Sequence, residues 1–358
     1  MALLIIGCMS GSSLDGLDMA LCHFNVRDGQ AEWSISAAET QPFPESIRQA
    51  LKAAPGLDGI SLQKLHADFG IFIGQSLHLW IQRHELQADY IASHGHTVFH
   101  APAQHFTLQI GSGAHIAFHT GIDTIVDFRS ADVAAGGQGA PFAPVVDRDL
   151  FPGYHGYLNL GGIANISLVS VDGLRKGWDI GPCNQALNHL AEKLGHTYDP
   201  GGTIAASGKI NPALLEKLVK AYPYADGQPK GLSNADVAEQ WLQCLDAEGG
   251  DNKDALATTT EAIAVMINDH LHKSITGPAQ ILVTGGGAHN RYLMERLAHH
   301  GGPEVEWIVP SKDIVDFKEC LLMAWLGFLH VHHQPFGLPP FTGASADTIG
   351  GAMYKAVK

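Results

Sequence analysis

Hydrophobic residues along the chain form short continuous runs and longer stretches with helical spacing. Ala2–Cys8 and Leu17–Phe24 are apolar runs on either side of a small polar segment, which predicts a strand, a turn and a second strand. Residues 61–86 instead carry a large apolar side chain at every third or fourth position, which is typical of one face of a helix. The same patterns predict further strands at 31–40, 89–93, 106–110 and 124–126 and helices at 46–53 and 114–119, with a histidine-rich loop after residue 93.

The second half of the chain repeats the opening pattern. Tyr157–Leu160 and Asn165–Val169 are apolar runs joined by Gly161 and Gly162, which indicates a weak internal duplication. A further strand, Gln280–Thr284, runs directly into three glycines. The remaining pattern predicts a strand at 177–180 and helices at 184–194, 212–220, 235–245, 254–273, 290–299 and 318–330. Strands that alternate with helices predict an α/β fold.

The length of 358 residues fits two domains of ordinary size. Ala134–Pro144 consists almost entirely of glycine, alanine and proline, so we predict a domain boundary there. The first domain is expected at 1–135 and the second at 136–340, with the C-terminal segment 341–358 returning to the first. Since 45% of the residues are hydrophobic and only 16% are charged, the composition is that of a folded protein and excludes extended disorder.

Charge and cysteine content restrict the class of protein further. The net charge of −14, without a lysine or arginine run, argues against binding to nucleic acid or to an anionic membrane surface. The five cysteines are scattered without a CxxC motif, so a disulfide framework or zinc ribbon is not expected and a reducing compartment is. Leu3–Ile6 is too short for a signal-peptide core and Leu321–Leu329 is too short to span a bilayer. We therefore expect a cytoplasmic protein.

Three glycine-bearing turns follow directly on predicted strands, at Gly11–Gly16, Gly161–Gly162 and Gly285–Gly287. Neither a Walker A loop nor a Rossmann GxGxxG motif is present. Turns of this kind expose consecutive backbone N–H groups that can cradle phosphate. In the first turn the hydroxyls of Ser10, Ser12 and Ser13 add donors, and the carboxylate of Asp15 can hold the water shell of a metal. Each turn taken singly is better explained as an ordinary hairpin connection, and phosphate binding becomes an equal alternative only because three such turns occur together.

Histidine is frequent, with 21 residues, and its densest cluster is His94, His96 and His100. If His94 and His96 share one strand face, they offer two imidazoles to a metal, and Asp127 could complete the site. The alternative, which we favour, is that His94 or Thr97 hydrogen-bonds a substrate.

Two further segments place charged side chains at strand ends. Asp127 and Arg129 follow an apolar strand, where the arginine fork suits an anionic ligand, although a local salt bridge is an equal alternative. Asp179 precedes a Gly-Pro turn into a predicted helix, which is where open α/β sheets present catalytic groups. Its alternative role is that of a turn or N-cap carboxylate. A GxSxG elbow and a Cys-His signature are absent, so acyl transfer has little support.

Several longer motifs resemble those of the anhydro-N-acetylmuramic acid kinase family, in the family's order and across nearly the whole chain. They are MSGSSLDGLD (Met9–Asp18), SHGHTVFHAP (Ser93–Pro102), FTLQIG (Phe106–Gly111), DFRSADVAAGGQGAP (Asp127–Pro141), LNLGGIANIS (Leu158–Ser167), DIGPCN (Asp179–Asn184) and VTGGGAHN (Val283–Asn290).

The resemblance implies an actin-like ATPase fold, a two-domain α/β protein with a duplicated ribonuclease H-like core and ATP bound in the interdomain cleft. It implies an ATP-dependent sugar kinase of peptidoglycan recycling that uses Mg²⁺, with a homodimer as the expected oligomeric state. Such an enzyme opens 1,6-anhydro-N-acetylmuramic acid with water and phosphorylates O6, giving N-acetylmuramic acid 6-phosphate and ADP. Phosphoryl transfer depends mainly on positioning and charge neutralisation, so glycine turns can serve without a Walker lysine.

Carried over motif by motif, the resemblance assigns Asp179 as the catalytic base and names no protein ligand for a metal. The residues it implies for ATP binding are Met9, Ser10, Gly11, Ser12, Ser13, Leu14, Asp15, Gly16, Gly161, Gly162, Gly285, Gly286, Gly287 and Asn290. The residues it implies for sugar binding are His94, Thr97, Asp127 and Arg129. The sequence departs from the family pattern at His96, Ile180, Cys183 and Asn188, where glutamine, threonine, glycine and aspartate are usual.

Three other functions remain open from the sequence. The first is an actin-fold kinase for a different sugar, and the second is a histidine-metal hydrolase that needs no nucleotide. The third is a non-catalytic sensor of muropeptides on the same fold, against which Asp179 and the three glycine turns argue.

Overall fold

A computed structural model of the protein describes residues 2–11, 14–169, 175–221, 241–247, 249–275 and 277–357, with residues 169, 175 and 176 described by their backbone only. The chain divides into two compact units, Met1–Pro152 with Phe317–Lys358, and Gly153–Asp316. Segments 136–152 and 317–340 thus pack with the first unit, whereas the sequence-based division assigns them to the second domain. Boundaries at 135 and 340 stay a prediction.

The first unit is built on a six-stranded sheet with the order β13-β7-β4-β1-β2-β3. β1 pairs antiparallel with β2, and β2 with β3, whereas β1, β4 and β7 are parallel to one another. A separate two-stranded sheet joins β5 to β6. The strands are β1 (Leu3–Ser10), β2 (Gly16–Arg27), β3 (Gln30–Pro42), β4 (Tyr90–Ser93), β5 (His96–Ala101), β6 (Phe106–Ile110), β7 (Thr124–Val126) and β13 (Ala352–Tyr354).

The second unit has a five-stranded sheet with the order β10-β9-β8-β11-β12. Its strands are β8 (Gly156–Leu160), β9 (Ile163–Val169), β10 (Arg175–Pro182), β11 (Ala279–Thr284) and β12 (Val305–Ile308). β8, β9 and β10 are antiparallel, whereas β8, β11 and β12 are parallel. This order and these directions repeat those of β3-β2-β1-β4-β7 in the first unit. The duplicated ribonuclease H-like core, and with it the actin-like α/β fold class, is confirmed.

Helices cover the sheets and connect the parallel strands. They are α1 (Glu45–Ala53), α2 (Gly59–Arg83), α3 (Gly113–Thr120), α4 (Ser130–Ala134), α5 (Ala143–Leu150), α6 (Asn184–Lys193), α7 (Thr203–Ala206), α8 (Pro212–Lys220), α9 (Gln243–Ala247), α10 (Asn252–Ser274), α11 (Arg291–Gly301), α12 (Lys312–Val331) and α13 (Pro339–Thr342). Among the described residues, no helix combines the length and the apolar character needed to cross a bilayer.

Each unit has its own hydrophobic core. In the first unit, Phe69, Ile73 and Leu77 of α2 pack in one cluster with Ile6 of β1, as the helical spacing predicted. On the other face of β1, α12 approaches so closely that a Cβ on Gly7 would lie 1.9 Å from the carbonyl oxygen of Cys320. Gly7 is therefore required for this packing, because a side chain there would displace α12.

Two predicted elements differ from the structure in an informative way. The helix predicted at 61–86 begins two residues earlier, because Oδ1 of Asp58 accepts hydrogen bonds from the amides of Ile60 and Ser61 at 2.9 and 3.0 Å and caps it. The prediction of a histidine-rich loop after residue 93 was wrong, because His96–Ala101 forms strand β5 by pairing with β6. The helix predicted at 235–245 lies largely outside the described residues.

A buried ionic cluster ties α10 to α11 in the second unit. Oε2 of Glu261, which is 7% exposed, accepts a hydrogen bond from Nε of Arg296 at 2.5 Å. Oε1 accepts from Nη2 of Arg296 at 2.9 Å and lies 2.8 Å from Nε2 of His300. Burial raises the pKa of Glu261, but the hydrogen bonds from Arg296 and His300 outweigh it, so the net direction is downward.

We expect Glu261→Gln to lower the free energy of unfolding by about 2 kcal/mol at neutral pH, the scale of a hydrogen bond to a charged group. A lowered folded-state pKa stabilises the fold above the unfolded pKa of about 4.3, and this stability is lost as pH falls through the folded value. The difference from wild type should therefore shrink below pH ~4. Denaturant unfolding at neutral pH and below pH ~4 measures the loss of unfolding free energy in this variant. The control is Glu295→Gln, which changes an exposed glutamate of α11. A loss of the same size at both pH values would contradict the prediction.

Candidate functional site

The first glycine turn connects β1 to β2. β1 ends at Ser10 and β2 begins at Gly16, and the amide of Leu14 donates to the carbonyl of Gly11 at 3.3 Å. Leu14 has a φ of +57°, a left-handed conformation that costs energy in a residue other than glycine. Met9 is half-buried and Asp15 is exposed. Ser12 and Ser13 of the predicted ATP-binding set lie outside the described residues.

Ser10 connects this turn to the histidine motif. Its side chain is buried, and its Oγ lies 3.2 Å from Nδ1 of His96. The amide of His94 donates to the carbonyl of Cys8 at 3.0 Å, which aligns the start of the motif with β1. The structure therefore brings the first glycine turn and the SHGHT segment together, as their assignment to one site requires.

His94 and Arg129 contact each other directly. Nε of Arg129 donates to Nε2 of His94 at 3.0 Å, and Nη1 of Arg129 donates to the carbonyl of Gly139 at 3.3 Å. Burial and the neighbouring Arg129 charge lower the pKa of His94 to about 3, so its imidazole is neutral at physiological pH. Burial lowers the pKa of Arg129, whereas the carboxylate of Glu319 acts in the opposite direction.

The two histidines do not form a metal-binding pair. Gly95, with a φ of +70°, turns the chain between them, and only His96 belongs to strand β5. The expectation that His94 and His96 share a strand face was therefore wrong. Within the described part of the chain, no group of three histidine, cysteine, aspartate or glutamate side chains could hold a metal ion.

Thr97 and Asp127, both predicted to bind sugar, have partners within the first unit. Nε2 of Gln109 donates to Oγ1 of Thr97 at 3.4 Å across β5 and β6. Asp127 is exposed, and its Oδ1 accepts from Oγ of Ser130 at 2.5 Å and from the amide of Ser130 at 3.3 Å. Asp127 thus stabilises the first turn of α4, and a role in sugar binding stays a prediction for both residues.

The second and third glycine turns are neighbours in the second unit. The carbonyls of Gly161 and Gly162 accept the amides of Asn184 and Cys183 at 3.1 and 2.9 Å, which places the N-terminus of α6 on this turn. A Cβ on Gly287 would lie 2.7 Å from Cβ of Leu160 and 3.1 Å from Oδ1 of Asn184. The two turns and the start of α6 therefore lie close together, and the first amides of α6 already donate to the carbonyls of the second turn. Glycine turns of this kind can bind an anion through their own amides.

Asp179 belongs to a row of polar residues that crosses the sheet of the second unit. In the strand register, Asp179 of β10 is opposite Asn165 of β9, which is opposite Asn159 of β8, which is next to Thr284 of β11. Residues in register across neighbouring strands lie on the same face of a sheet. The apolar residues between them, Leu158, Leu160, Ala164, Ile166, Ile180 and Val283, belong to the core on the other face.

This polar row passes beside the second glycine turn, where a Cβ on Gly161 would lie 3.3 Å from Nδ2 of Asn159, and ends at the third. Gly285 follows Thr284 directly, and a Cβ on Gly285 would lie 2.5 Å from Oδ1 of Asn159. The structure thus brings Asp179, the second turn and the third turn together within one unit. Asn290, also in the predicted ATP-binding set, caps a helix: its Oδ1 accepts a hydrogen bond from the amide of Leu293 at 3.0 Å, at the start of α11.

Sequence reasoning missed Asn159, Asn165 and Thr284. A signal for them is present, because each is a polar residue at an alternating position of an otherwise apolar strand beside a glycine turn. Their alignment with Asp179 needs the strand register, which the sequence alone does not provide.

Comparison with known proteins identifies the family. The family model described as anhydro-N-acetylmuramic acid kinase matches residues 3–356. The chain belongs to this family. It is 34% identical over 374 residues to the anhydro-N-acetylmuramic acid kinase of Pseudomonas fluorescens (strain Pf0-1), covering 98% of this chain and 99% of the relative. It is 35% identical over 368 residues to that of Xylella fastidiosa (strain Temecula1), covering 99% and 96%.

Among solved structures, the chain is similar to the activator of the 2-hydroxyisocaproyl-CoA dehydratase from Clostridium difficile with bound ADPNP. The TM-score is 0.46 and the identity 13%, over 92% of this chain and 96% of that chain.

For a member of the anhydro-N-acetylmuramic acid kinase family, the unusual residues near Asp179 lie where they leave the polar row unchanged. Ile180 is at a β-bulge and is buried in the core. Cys183 is buried immediately before α6, and Asn188 is half-buried on that helix. His96 is the residue that contacts Ser10.

Proposed function

We propose that the protein is an ATP-dependent kinase that opens 1,6-anhydro-N-acetylmuramic acid with water and phosphorylates O6. The products are N-acetylmuramic acid 6-phosphate and ADP. The proposal is supported by family membership across residues 3–356. The structural observation that carries it is the polar row in which Asp179, Asn165 and Asn159 cross the sheet to the glycine turns.

Asp179 is the group we assign to activate water. Water is a weak nucleophile, and a carboxylate within hydrogen-bond reach can take its proton as the oxygen attacks the anomeric carbon. The C1–O6 bond breaks as the C1–O bond to water forms. The electron pair left on O6 then attacks the γ-phosphorus of ATP, and ADP departs. Asn165, which is opposite Asp179 in the strand register, would orient the water or the carboxylate.

ATP is the phosphate donor in this proposal. The amides of Gly161, Gly162, Gly285, Gly286 and Gly287 would bind phosphate oxygens in the second unit. The turn formed by Met9, Ser10, Gly11, Ser12, Ser13, Leu14, Asp15 and Gly16 would contribute further amides and hydroxyls from the first unit.

Arg129 is the group we assign to the lactyl carboxylate of the muramic acid. A guanidinium matches a carboxylate with two parallel hydrogen bonds, and such charge-assisted bonds are about twice as strong as neutral ones. The assignment predicts preference for a muramic sugar over a glucosamine sugar, which lacks the carboxylate. A homodimeric state also remains a proposal from the family.

Mg²⁺ fits the donors that the structure offers. Asp179, Asn165 and Asn159, which are in register in the second unit, provide oxygen atoms, which Mg²⁺ prefers, and the ion commonly keeps several waters while bound to one or two carboxylates and to phosphates. When bound, the ion would neutralise phosphate charge. We expect turnover to vanish in excess chelator and to return when Mg²⁺ is restored, measured by ADP release. Full turnover in chelator would contradict the assignment of a nucleotide-dependent kinase.

The substrate is tested with a panel of sugars in the ADP-release assay. We expect 1,6-anhydro-N-acetylmuramic acid to be turned over far faster than N-acetylmuramic acid or glucose. A higher rate with another sugar would favour the second candidate, an actin-fold kinase of different specificity. The histidine-metal hydrolase is not favoured, because His94 contacts Arg129 and His96 contacts Ser10.

A further inference from the structure

We propose that His94 is a positioning residue, whose neutral imidazole holds the guanidinium of Arg129 in the orientation that receives the carboxylate of the substrate. The role differs from direct sugar binding by His94. It rests on the proposed function insofar as Arg129 binds that carboxylate. The contact between His94 and Arg129 stands on the geometry alone.

The hydrogen bonds of His94 fix which ring nitrogen carries the proton. Nδ1 lies 3.2 Å from the carbonyl oxygen of Gly95, which can only accept, so Nδ1 carries the hydrogen. Nε2 then has a free lone pair, and Nε of Arg129 donates to it at 3.0 Å. The His94 side chain is only 5% exposed, so water competes little for this bond. His94 is therefore an acceptor for one defined N–H of Arg129.

The other end of the guanidinium is held by the backbone. Nη1 of Arg129 donates to the carbonyl of Gly139 at 3.3 Å. Gly139 is itself fixed, because its amide donates to Oδ2 of the buried Asp132 at 2.7 Å, and Oδ1 of Asp132 accepts from Oγ1 of Thr342 at 2.6 Å. Arg129 is thus restrained through Nε and Nη1. Three of its five N–H groups remain, two on Nη2 and one on Nη1, and one from each nitrogen can pair with a carboxylate.

Both hydrogen-bond acceptors of Arg129 are uncharged, which matters for ligand binding. A carboxylate at the position of His94 would neutralise the guanidinium and compete with an anionic ligand. A neutral imidazole and a carbonyl fix its direction without an ion pair at these two positions. Glu319 also acts electrostatically on the guanidinium, but burial raises the pKa of Glu319, which disfavours its charged form. Arg129 in turn keeps His94 unprotonated, because a second positive charge beside the guanidinium is unfavourable.

The direct test is ¹⁵N NMR of the full-length protein, with the exchange of the Arg129 Nε hydrogen as the readout. In the wild type we expect slow exchange and a neutral His94 that carries its hydrogen on Nδ1. His94→Leu removes the acceptor and should accelerate the exchange, whereas His94→Gln keeps an acceptor oxygen and should restore much of the protection. Fast exchange in the wild type, or protection that is unchanged in His94→Leu, would overturn the proposal.

The kinetic test uses two sugars that differ in the carboxylate. We expect His94→Leu to raise KM for 1,6-anhydro-N-acetylmuramic acid by about tenfold. KM for 1,6-anhydro-N-acetylglucosamine and for ATP should hardly change. His115→Leu is the control, because Nδ1 of His115 contacts Oγ of Ser112 at 2.9 Å and not Arg129.

Equal losses on both sugars would indicate a general structural role for His94 and would overturn the proposal. If neither sugar is a substrate of the wild type, the proposed function fails, while the NMR result still decides whether His94 holds Arg129. If His94→Leu does not fold, His94→Gln and the wild-type exchange rate remain decisive.

Discussion

Replacing Asp179 with asparagine is expected to lower turnover by about 10²–10⁴-fold, the usual effect of losing a general base. The two side chains have nearly the same shape, so folding and ATP affinity should remain close to wild type. Ring opening and phosphorylation should be lost together, because both begin with removal of the same proton. Turnover is measured by coupled ADP release, with thermal unfolding and nucleotide affinity determined on the same sample.

The control for this variant is Asp269→Asn, which alters an exposed carboxylate of α10 that pairs with Lys273. It should have normal turnover. If Asp179 instead stabilises a turn, asparagine should replace it well, since the two residues cap about equally. Near-normal turnover would therefore remove Asp179 from the mechanism. A variant that still phosphorylates but no longer hydrolyses would show that separate groups perform the two steps.

The second large effect is expected for Gly285→Ala, which should weaken ATP binding by about tenfold or more, the scale of losing hydrogen bonds to a charged ligand. Gly285 has a φ of +83°, and its Cβ would lie 2.5 Å from Oδ1 of Asn159 and 2.8 Å from the carbonyl carbon of Leu160. Alanine must therefore shift the third glycine turn away from the polar row. Calorimetric titration with a non-hydrolysable ATP analogue measures the loss.

Gly195→Ala separates crowding from backbone strain. Gly195 has nearly the same φ, +82°, but a Cβ there would meet no atom within 4 Å. Gly195→Ala should lower the free energy of unfolding by about 1 kcal/mol, because alanine is strained in a left-handed conformation. The affinity for ATP should remain unchanged. Equal ATP affinities in the two variants would contradict a nucleotide-binding role for the third turn.

Local patterns in the sequence predict much of this fold. The strand–turn–strand pattern at residues 2–24 and again at 157–169 appears as β1-β2 and β8-β9, and the helical spacing of Phe69, Ile73 and Leu77 appears as α2. These elements were predictable because the strands are continuous buried runs and α2 buries one helical face, each within its own unit. β5 was not, because it becomes a strand only by pairing with β6.

Some residues of the candidate site can likewise be predicted from the sequence, whereas others cannot. Glycine turns and Asp179 are visible in the sequence, since the residue types and their neighbours are local. The row from Asp179 through Asn165 and Asn159 depends on strand register, and the bond between His94 and Arg129 joins residues 35 positions apart. Side chains that act through such distant partners can be assigned only when the packing of the strands is known.

The most direct test of the proposed function is the mass of the product formed from 1,6-anhydro-N-acetylmuramic acid and Mg-ATP. The expected product has gained one water and one phosphoryl group, with the phosphate on O6 and one ADP released per sugar. A product that has gained water alone, a phosphorylated sugar with the anhydro ring intact, or an unchanged sugar would contradict the coupling of ring opening to phosphoryl transfer.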